Sequence, residues 1–253
     1  SFRVSQAING WRLKGHAHDH FWKWVCSWAR ACRKPSDIGF TDDGYELPAL
    51  NEREHIVKPT TPPDGMLFTM PAFGLAEERD ERRRTLRERC QLAADLVNHD
   101  RPAVVWCHMN AEGDMLQSMI PNSVQVKGAL EDEEKEAAYD SFSNQEKRVL
   151  ILKPKIGAWG LNWQFCNHVV TFASHSYEQY YQSVRRCYRF GQKQPVTVDI
   201  IASEGEQRVR DNMSRKATQA AKMFEELVKQ MNHSLHLERK TKEITATLPS
   251  WLN

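Results

Sequence analysis

Short apolar runs alternate along this chain with stretches of helical periodicity. AVVWC (103–107), VQV (124–126), RVLIL (148–152), HVVTF (168–172) and VTVDII (196–201) are brief and rich in β-branched residues, which predicts buried strands. Helical patterns at about 112–120, 131–143 and 177–189 separate most of them. Alternation of this kind implies a parallel sheet covered on both faces. Ahead of it, Leu86, Cys90, Ala93 and Val97 form the apolar stripe of a charged helix over 76–98. A first helix over 16–34 places Phe21, Trp24 or Val25, Trp28 and Cys32 three and four apart until Pro35 stops it. Behind the sheet, Val209, Met213, Ala217, Ala220, Phe224, Leu227 and Met231 predict one long C-terminal helix. Residues 35–74 hold six of the eleven prolines and read as a connecting region, with short extended pieces at 54–58 and 66–69. The expected fold is α/β: a parallel sheet flanked by helices, with an N-terminal helical or irregular extension and a long C-terminal helix. The expected domains are 1–74 (helical extension and connecting region), 75–202 (the sheet-bearing lobe, its leading helix at 76–98) and 203–253 (helical segment).

Composition narrows the function classes. The 253 residues are 40% hydrophobic and 27% charged, with six cysteines and a net charge of +2. Mean hydropathy is −0.65 and the pI about 8.2. No run approaches the roughly 20 apolar residues of a membrane span. The start, Ser1-Phe2-Arg3-Val4, has no signal-peptide core, so a cytoplasmic protein is expected. The charge is too mild to mark a nucleic-acid binder by itself. No CxxC pair occurs and several cysteines lie in apolar segments, which predicts reduced, buried thiols. Four of the eight tryptophans fall within 11–28; those of the first helix are expected in the core, whereas an exposed stripe would mark a docking surface. Of His16, His18 and His20 only the first and last share a helical face, so no metal site is expected. The run 77–89, with five acidic and six basic residues, reads as a solvated helix.

Two segments carry candidate chemistry. The first, Lys153-Pro-Lys155-Ile-Gly157-Ala-Trp159-Gly160-Leu-Asn162-Trp-Gln164, leaves the strand RVLIL. Its glycines permit close backbone approach and its lysines add positive charge, although a glycine pair also suits an ordinary tight turn. The second runs from Tyr177 to Gln194. Gln182, Arg186 and Arg189 stand at i, i+4 and i+7 of the expected helix and so share one face, two guanidiniums and an amide suited to phosphate oxygens. Such arginines can neutralise charge developing in phosphoryl transfer; a solvated basic face is the plainer alternative. Four basic residues here, against one acidic, alternate with Tyr177, Tyr180, Tyr181 and Tyr188, which suits either phosphate contact and base stacking or core packing.

Together the two segments resemble motifs V and VI of superfamily-two helicases, in the Swi/Snf-like DNA translocase branch. Gly157-Ala-Trp-Gly160-Leu-Asn162 fits the glycine-rich motif V. Gln182, Arg186, Arg189, Gly191 and Gln192 fit every named position of Gln-x-x-x-Arg-x-x-Arg-x-Gly-Gln. VVWCH (104–108) is similar to motif IV, Val126-Lys127-Gly128 to the next strand and glycine, and residues 11–50 to phage and prophage members. The resemblance implies the second, C-terminal RecA-like lobe of a DEAD/DEAH-like helicase or translocase. Arg186 and Arg189 would be catalytic, with Arg189 the finger. Gln182, Gly157, Gly160 and Asn162 would contact or couple to ATP, and Lys153, Lys155, Trp159 and Arg185 would touch nucleic acid, DNA rather than RNA. It implies ATP and Mg2+ as cofactors, held only with an N-terminal RecA-like lobe in cis or trans, and a bacterial or phage-infected host cell. Departure from a whole motor is plain in this stretch of sequence. Gly10-Trp-Arg-Leu-Lys-Gly15 has Walker A spacing, but His16-Ala17 replaces Lys-Ser/Thr, and no Walker B box follows a strand. The chain by itself is therefore expected to be inactive, as a fragment or one part of a split protein. The rival expectation is a non-catalytic nucleic-acid-binding or assembly module that keeps the fold.

Overall fold

The computed structural model describes residues 4–7, 10–13, 15, 18–29, 31–58, 75–157 and 160–241. It divides into two compact units, Ser1–Tyr45 with Thr218–Asn253, and Glu46–Ala217.

In the first unit β1 (Val4–Ala7) and β2 (Gly10–Leu13) form an antiparallel hairpin, with Ala7 opposite Gly10. The segment with Walker A spacing thus begins as a hairpin strand. Helix α1 (His18–Trp28) follows, then one 3-10 turn, Pro35–Ile38. Cys26 is buried, its thiol facing the Leu227 carbonyl oxygen at 3.6 Å. Trp24 and Trp28, expected in the core, are instead 50% and 65% exposed, packed edge to face at 5.6 Å. Each stands two residues, about 200° of helix, from the inward-facing Cys26, so they share the opposite side. His16 lies outside the described residues.

The second unit contains every strand that the apolar runs predict: β4 (Ala103–Trp106), β5 (Ser123–Val126), β6 (Val149–Leu152), β7 (His168–Phe172) and β8 (Val196–Ser203). Counting these with β1 and β2, the strand between them in sequence is β3 (Leu50–Val57), which comes from the connecting region. The sheet order is β3-β8-β7-β4-β6-β5, with all neighbours parallel. β3 reads LNEREHIV because it is an edge strand with most side chains exposed, so only its last residues were apolar enough to signal. The piece expected at 66–69 lies outside the described residues.

Helices cover both faces. α2 (Leu75–Arg84) and α3 (Leu86–Leu96) replace the single helix expected over 76–98. The break is at buried Thr85, whose hydroxyl donates to the Glu81 carbonyl oxygen at 2.8 Å. The others are α4 (Asn110–Met119), α5 (Asp132–Ser143), the short α6 (Pro154–Gly157), α7 (Tyr177–Val184) and α8 (Gln207–Thr241). The pleat sends Val105, Ile151, Val170 and Ile201 to the face of Cys90, Ala93 and Leu116 from α3 and α4. It sends Val104, Leu150, Val169 and Val198 to the face of Ala138, Phe142 and Val184 from α5 and α7. Burial on both faces is why these strands read as unbroken apolar runs rather than alternations. The architecture is the expected parallel sheet flanked by helices, with the long C-terminal helix. None of the described helices is long and apolar enough to cross a membrane.

Candidate functional site

Motif V begins at the carboxyl end of β6. Lys153 donates from Nζ to Oδ1 of Asn110 at 2.6 Å, so the lysine is held against the start of α4. Lys155 is exposed on α6. Gly157 is buried, and a Cβ there would stand 2.1 Å from Leu152 Cδ1; only glycine lets this turn close onto the strand it leaves. Gly160 has φ 82°, a left-handed conformation that glycine adopts freely. Asn162 is exposed, and Trp159 lies outside the described residues.

Beyond Gly160 the chain crosses to the other edge of the sheet. Cys166 Sγ faces the carbonyl oxygen of Pro102, one residue before β4, at 3.4 Å. Asn167 donates to Gln194 Oε1 at 2.9 Å, just before β8. The two candidate segments therefore do not gather at the carboxyl ends of the strands. Lys153, Lys155 and Gly157 stand at that edge, whereas 161–167 and 185–195 meet toward the amino ends.

Motif VI also departs from the expected helix over 177–189. α7 ends at Val184, and Arg186 and Arg189 occupy the turns that follow. Tyr180 packs on the sheet and donates its hydroxyl proton to Glu52 of β3. The three arginines have different surroundings. Arg185 sits between the rings of Tyr181 (5.0 Å) and Tyr188 (5.3 Å) and donates to the Tyr188 carbonyl oxygen. Arg186 is 7% exposed; it donates to the Leu161 carbonyl oxygen at 2.8 Å and to Gln182 Oε1 at 3.3 Å. Arg189 is half-buried, and its guanidinium makes no hydrogen bond or ion pair among the described residues. Burial, and then repulsion from Arg189, lower the pKa of Arg186. Two guanidiniums that repel each other in one turn would gain from an anion between or beside them.

Behind this stands a buried ion pair absent from the sequence expectations. Arg89 of α3 meets Glu112 of α4 at 2.6 Å, each 1% exposed. Glu112 also accepts from the amides of His108 (2.7 Å) and Met109 (2.9 Å), and so fixes the loop between β4 and Asn110. Burial raises the Glu112 pKa, but Arg89 and these amides outweigh it and hold the carboxyl ionised. No sequence spacing links residues 89 and 112; Arg89 reads as one more member of a charged run.

Residues 85–191 match the family described as helicase conserved C-terminal domain. The bifunctional helicase and thymine dioxygenase JBP2 of Leishmania tarentolae is 37% identical over 94 residues, 36% of this chain and 9% of that protein. The transcriptional regulator ATRX homolog of Caenorhabditis elegans is 26% identical over 126 residues, 47% of this chain and 9% of that protein. The C-terminal part of the Fun30 ATPase domain aligns in structure with a TM-score of 0.42 at 17% identity, covering 47% of this chain and 41% of that one. The matched regions span about a tenth of the length of these curated relatives. Residues 85–191, which contain every candidate residue from Lys153 to Arg189, are similar to the helicase conserved C-terminal domain.

Proposed function

We propose that this chain is the second motor lobe of an ATP-dependent nucleic-acid translocase or helicase. The observation that carries the reading is Arg189: a half-buried guanidinium with no hydrogen bond or ion pair among the described residues, in a turn where Arg186 and Gln192 are held by hydrogen bonds to the backbone. Such a group suits the oxygens of a phosphate chain, and Arg186 is the residue that holds the turn in place. ATP bound between this lobe and a Walker-bearing lobe, in cis or trans, supplies the phosphoryl group. Arg189 faces its terminal phosphate and stabilises the charge that develops there. The arginine turn carries no carboxylate, so the ligands of Mg2+ come from the other lobe. Gln182 couples to the site through Arg186, and Gly157, Gly160 and Asn162 line the connection between the two edges. Lys153 and Lys155, at the carboxyl ends of the strands, contact the nucleic-acid backbone; Trp159 and Arg185 also belong to the nucleic-acid contacts of this reading, Arg185 from the side of the arginine turn. DNA is the track this reading favours, since one relative is named for thymine, a DNA base. A bacterial or phage-infected cytoplasm, where ATP and DNA meet, is the setting it implies.

The test is nucleic-acid-stimulated ATP hydrolysis by this chain alone and joined to a Walker-bearing lobe. Turnover that appears only in the joined form, and disappears with Arg189→Ala, supports the motor. A non-catalytic module is the second reading, favoured by the lack of a Walker A loop within these 253 residues. It predicts no hydrolysis in either form, with nucleic-acid binding retained.

A further inference from the structure

The second glutamine of motif VI is buried, and its side chain is fully engaged. Gln192 is 7% exposed. Its Nε2 donates to the carbonyl oxygens of Cys166 (3.0 Å) and Cys187 (3.2 Å). Its Oε1 accepts from the amides of Lys193 and Gln194, both at 2.9 Å. Its own backbone amide donates to the carbonyl oxygen of Arg189 at 3.0 Å. Two donors and two acceptances are what one amide can satisfy toward two opposed sets of backbone groups. A carboxylate in its place has no proton for the two carbonyls, and an apolar side chain leaves two buried carbonyls and two backbone amides without these bonds.

The positions of those partners give the arrangement its meaning. Cys187 lies two residues before Arg189 and Gln192 three after it, so Gln192 grips the backbone on both sides of the arginine. Gly191, at φ 96°, lets the chain turn back sharply enough for this. Cys166 fastens the assembly to the lead-in of β7, one of the central strands. We propose that Gln192 is a positioning residue that fixes the backbone carrying Arg189, and through it the direction in which that guanidinium points. This rests on the reading of Arg189 as the phosphate-facing arginine. Arg186 is tied through its own side chain to Leu161 and Gln182; among the described residues Arg189 has no such tie, so its aim depends on its backbone.

Two variants test this, Gln192→Met, which keeps the length but removes the amide, and Gln192→Asn, which keeps the amide but cannot reach both sides. Steady-state hydrolysis is measured in the joined two-lobe form, with thermal melts to establish folding. Misdirection of a catalytic group by about 1 Å lowers turnover by about 100-fold. The expected result is a loss of that order in kcat, with KM for ATP changed less than about threefold. In an Arg189→Ala background the same substitution should lower kcat less than about twofold further, because its effect passes through Arg189. Losses that multiply in the double variant, or a folded variant with wild-type kcat, overturn the proposal. If Arg189→Ala alone leaves kcat unchanged, the phosphate-facing reading fails instead. The grip itself is then read by amide hydrogen exchange in this chain. Protection lost at 163–167 and 185–194 but kept in β4 and β7 supports it, and protection kept throughout overturns it. Should Gln192→Met fail to fold, Gln192→Asn carries the same comparisons.

Discussion

The guanidinium of Arg186 donates to the carbonyl oxygen of Leu161 across 2.8 Å, and the carbonyl oxygen of Arg186 accepts from the amide of Trp163 at the same distance. Motifs V and VI are thus stitched by hydrogen bonds in both directions around one arginine. Among the described residues, the arginine three residues later enters no such exchange.

That difference separates the two substitutions. Arg189→Ala should lower nucleic-acid-stimulated hydrolysis in the two-lobe form by about a thousandfold or more while the melting temperature stays within a few degrees. Arg186→Ala should lower both, since it leaves the Leu161 carbonyl without its buried donor. Equal melting temperatures for the two variants would contradict this division of labour.

Arg89→Ala leaves the Glu112 carboxylate buried without its cation. Breaking a buried pair in this way costs about 3–5 kcal/mol, so a denaturant melt should show a loss of that size. Because Glu112 also holds the amides ahead of Asn110, hydrogen exchange at 108–110 should accelerate in the same variant.

Acid should weaken the lobe through a chain of imidazoles. His55 and His168 both donate to Asp199, each at 2.7 Å. His168 Nδ1 accepts from His99 Nε2 at 2.7 Å, and His99 Nδ1 accepts from the Arg101 amide at 3.2 Å. A proton added to His99 would face that amide, and burial with the neighbouring His168 lowers its pKa below the ordinary 6.5. Asp199 is raised by burial, but the hydrogen bonds from His168 and His55 outweigh this and bring it below 3.8. Both groups are depressed in the folded state. Their contribution is therefore complete above the unfolded values and is lost as pH falls, first for His99 and then for Asp199. Melting temperature should decline from roughly pH 7 toward pH 5, and His99→Ala should flatten that slope. A flat profile for the unaltered protein would exclude the mechanism.

Lys153→Ala and Lys155→Ala should weaken nucleic-acid binding uniformly across sequences. Each removed phosphate contact lowers the slope of log affinity against log salt by about one unit. Titrations at several salt concentrations measure it. An unchanged slope would remove these lysines from the path.

Much of the lobe was legible in the one-dimensional pattern. Five strands appear where β-branched runs predict them, because strands covered on both faces are apolar at most of their positions. The edge strand β3 was barely visible for the opposite reason, and the break at Thr85 was hidden inside an unbroken charged run. Gln182, Arg186 and Arg189 were found by their spacing, but that spacing was read onto a helix that stops at Val184. Trp24 and Trp28 of α1 are exposed where the core is expected, because apolar character alone does not say which side of a helix faces inward.

The sequence by itself determined the order of strands and helices along the chain, the α/β class with its parallel sheet, and the residue types of the two motifs. These depend on local periodicity and on short spacings, which a linear string preserves. Only the tertiary structure decided that the lysines and the arginine turn stand at opposite edges of one sheet, and that Arg186 is held while Arg189 is presented. It alone set Gln192 beneath the turn, through partners 26 and five residues away. Such arrangements arise where distant backbone groups meet and must satisfy one another's hydrogen bonds out of water, and no local pattern records which pairs those will be.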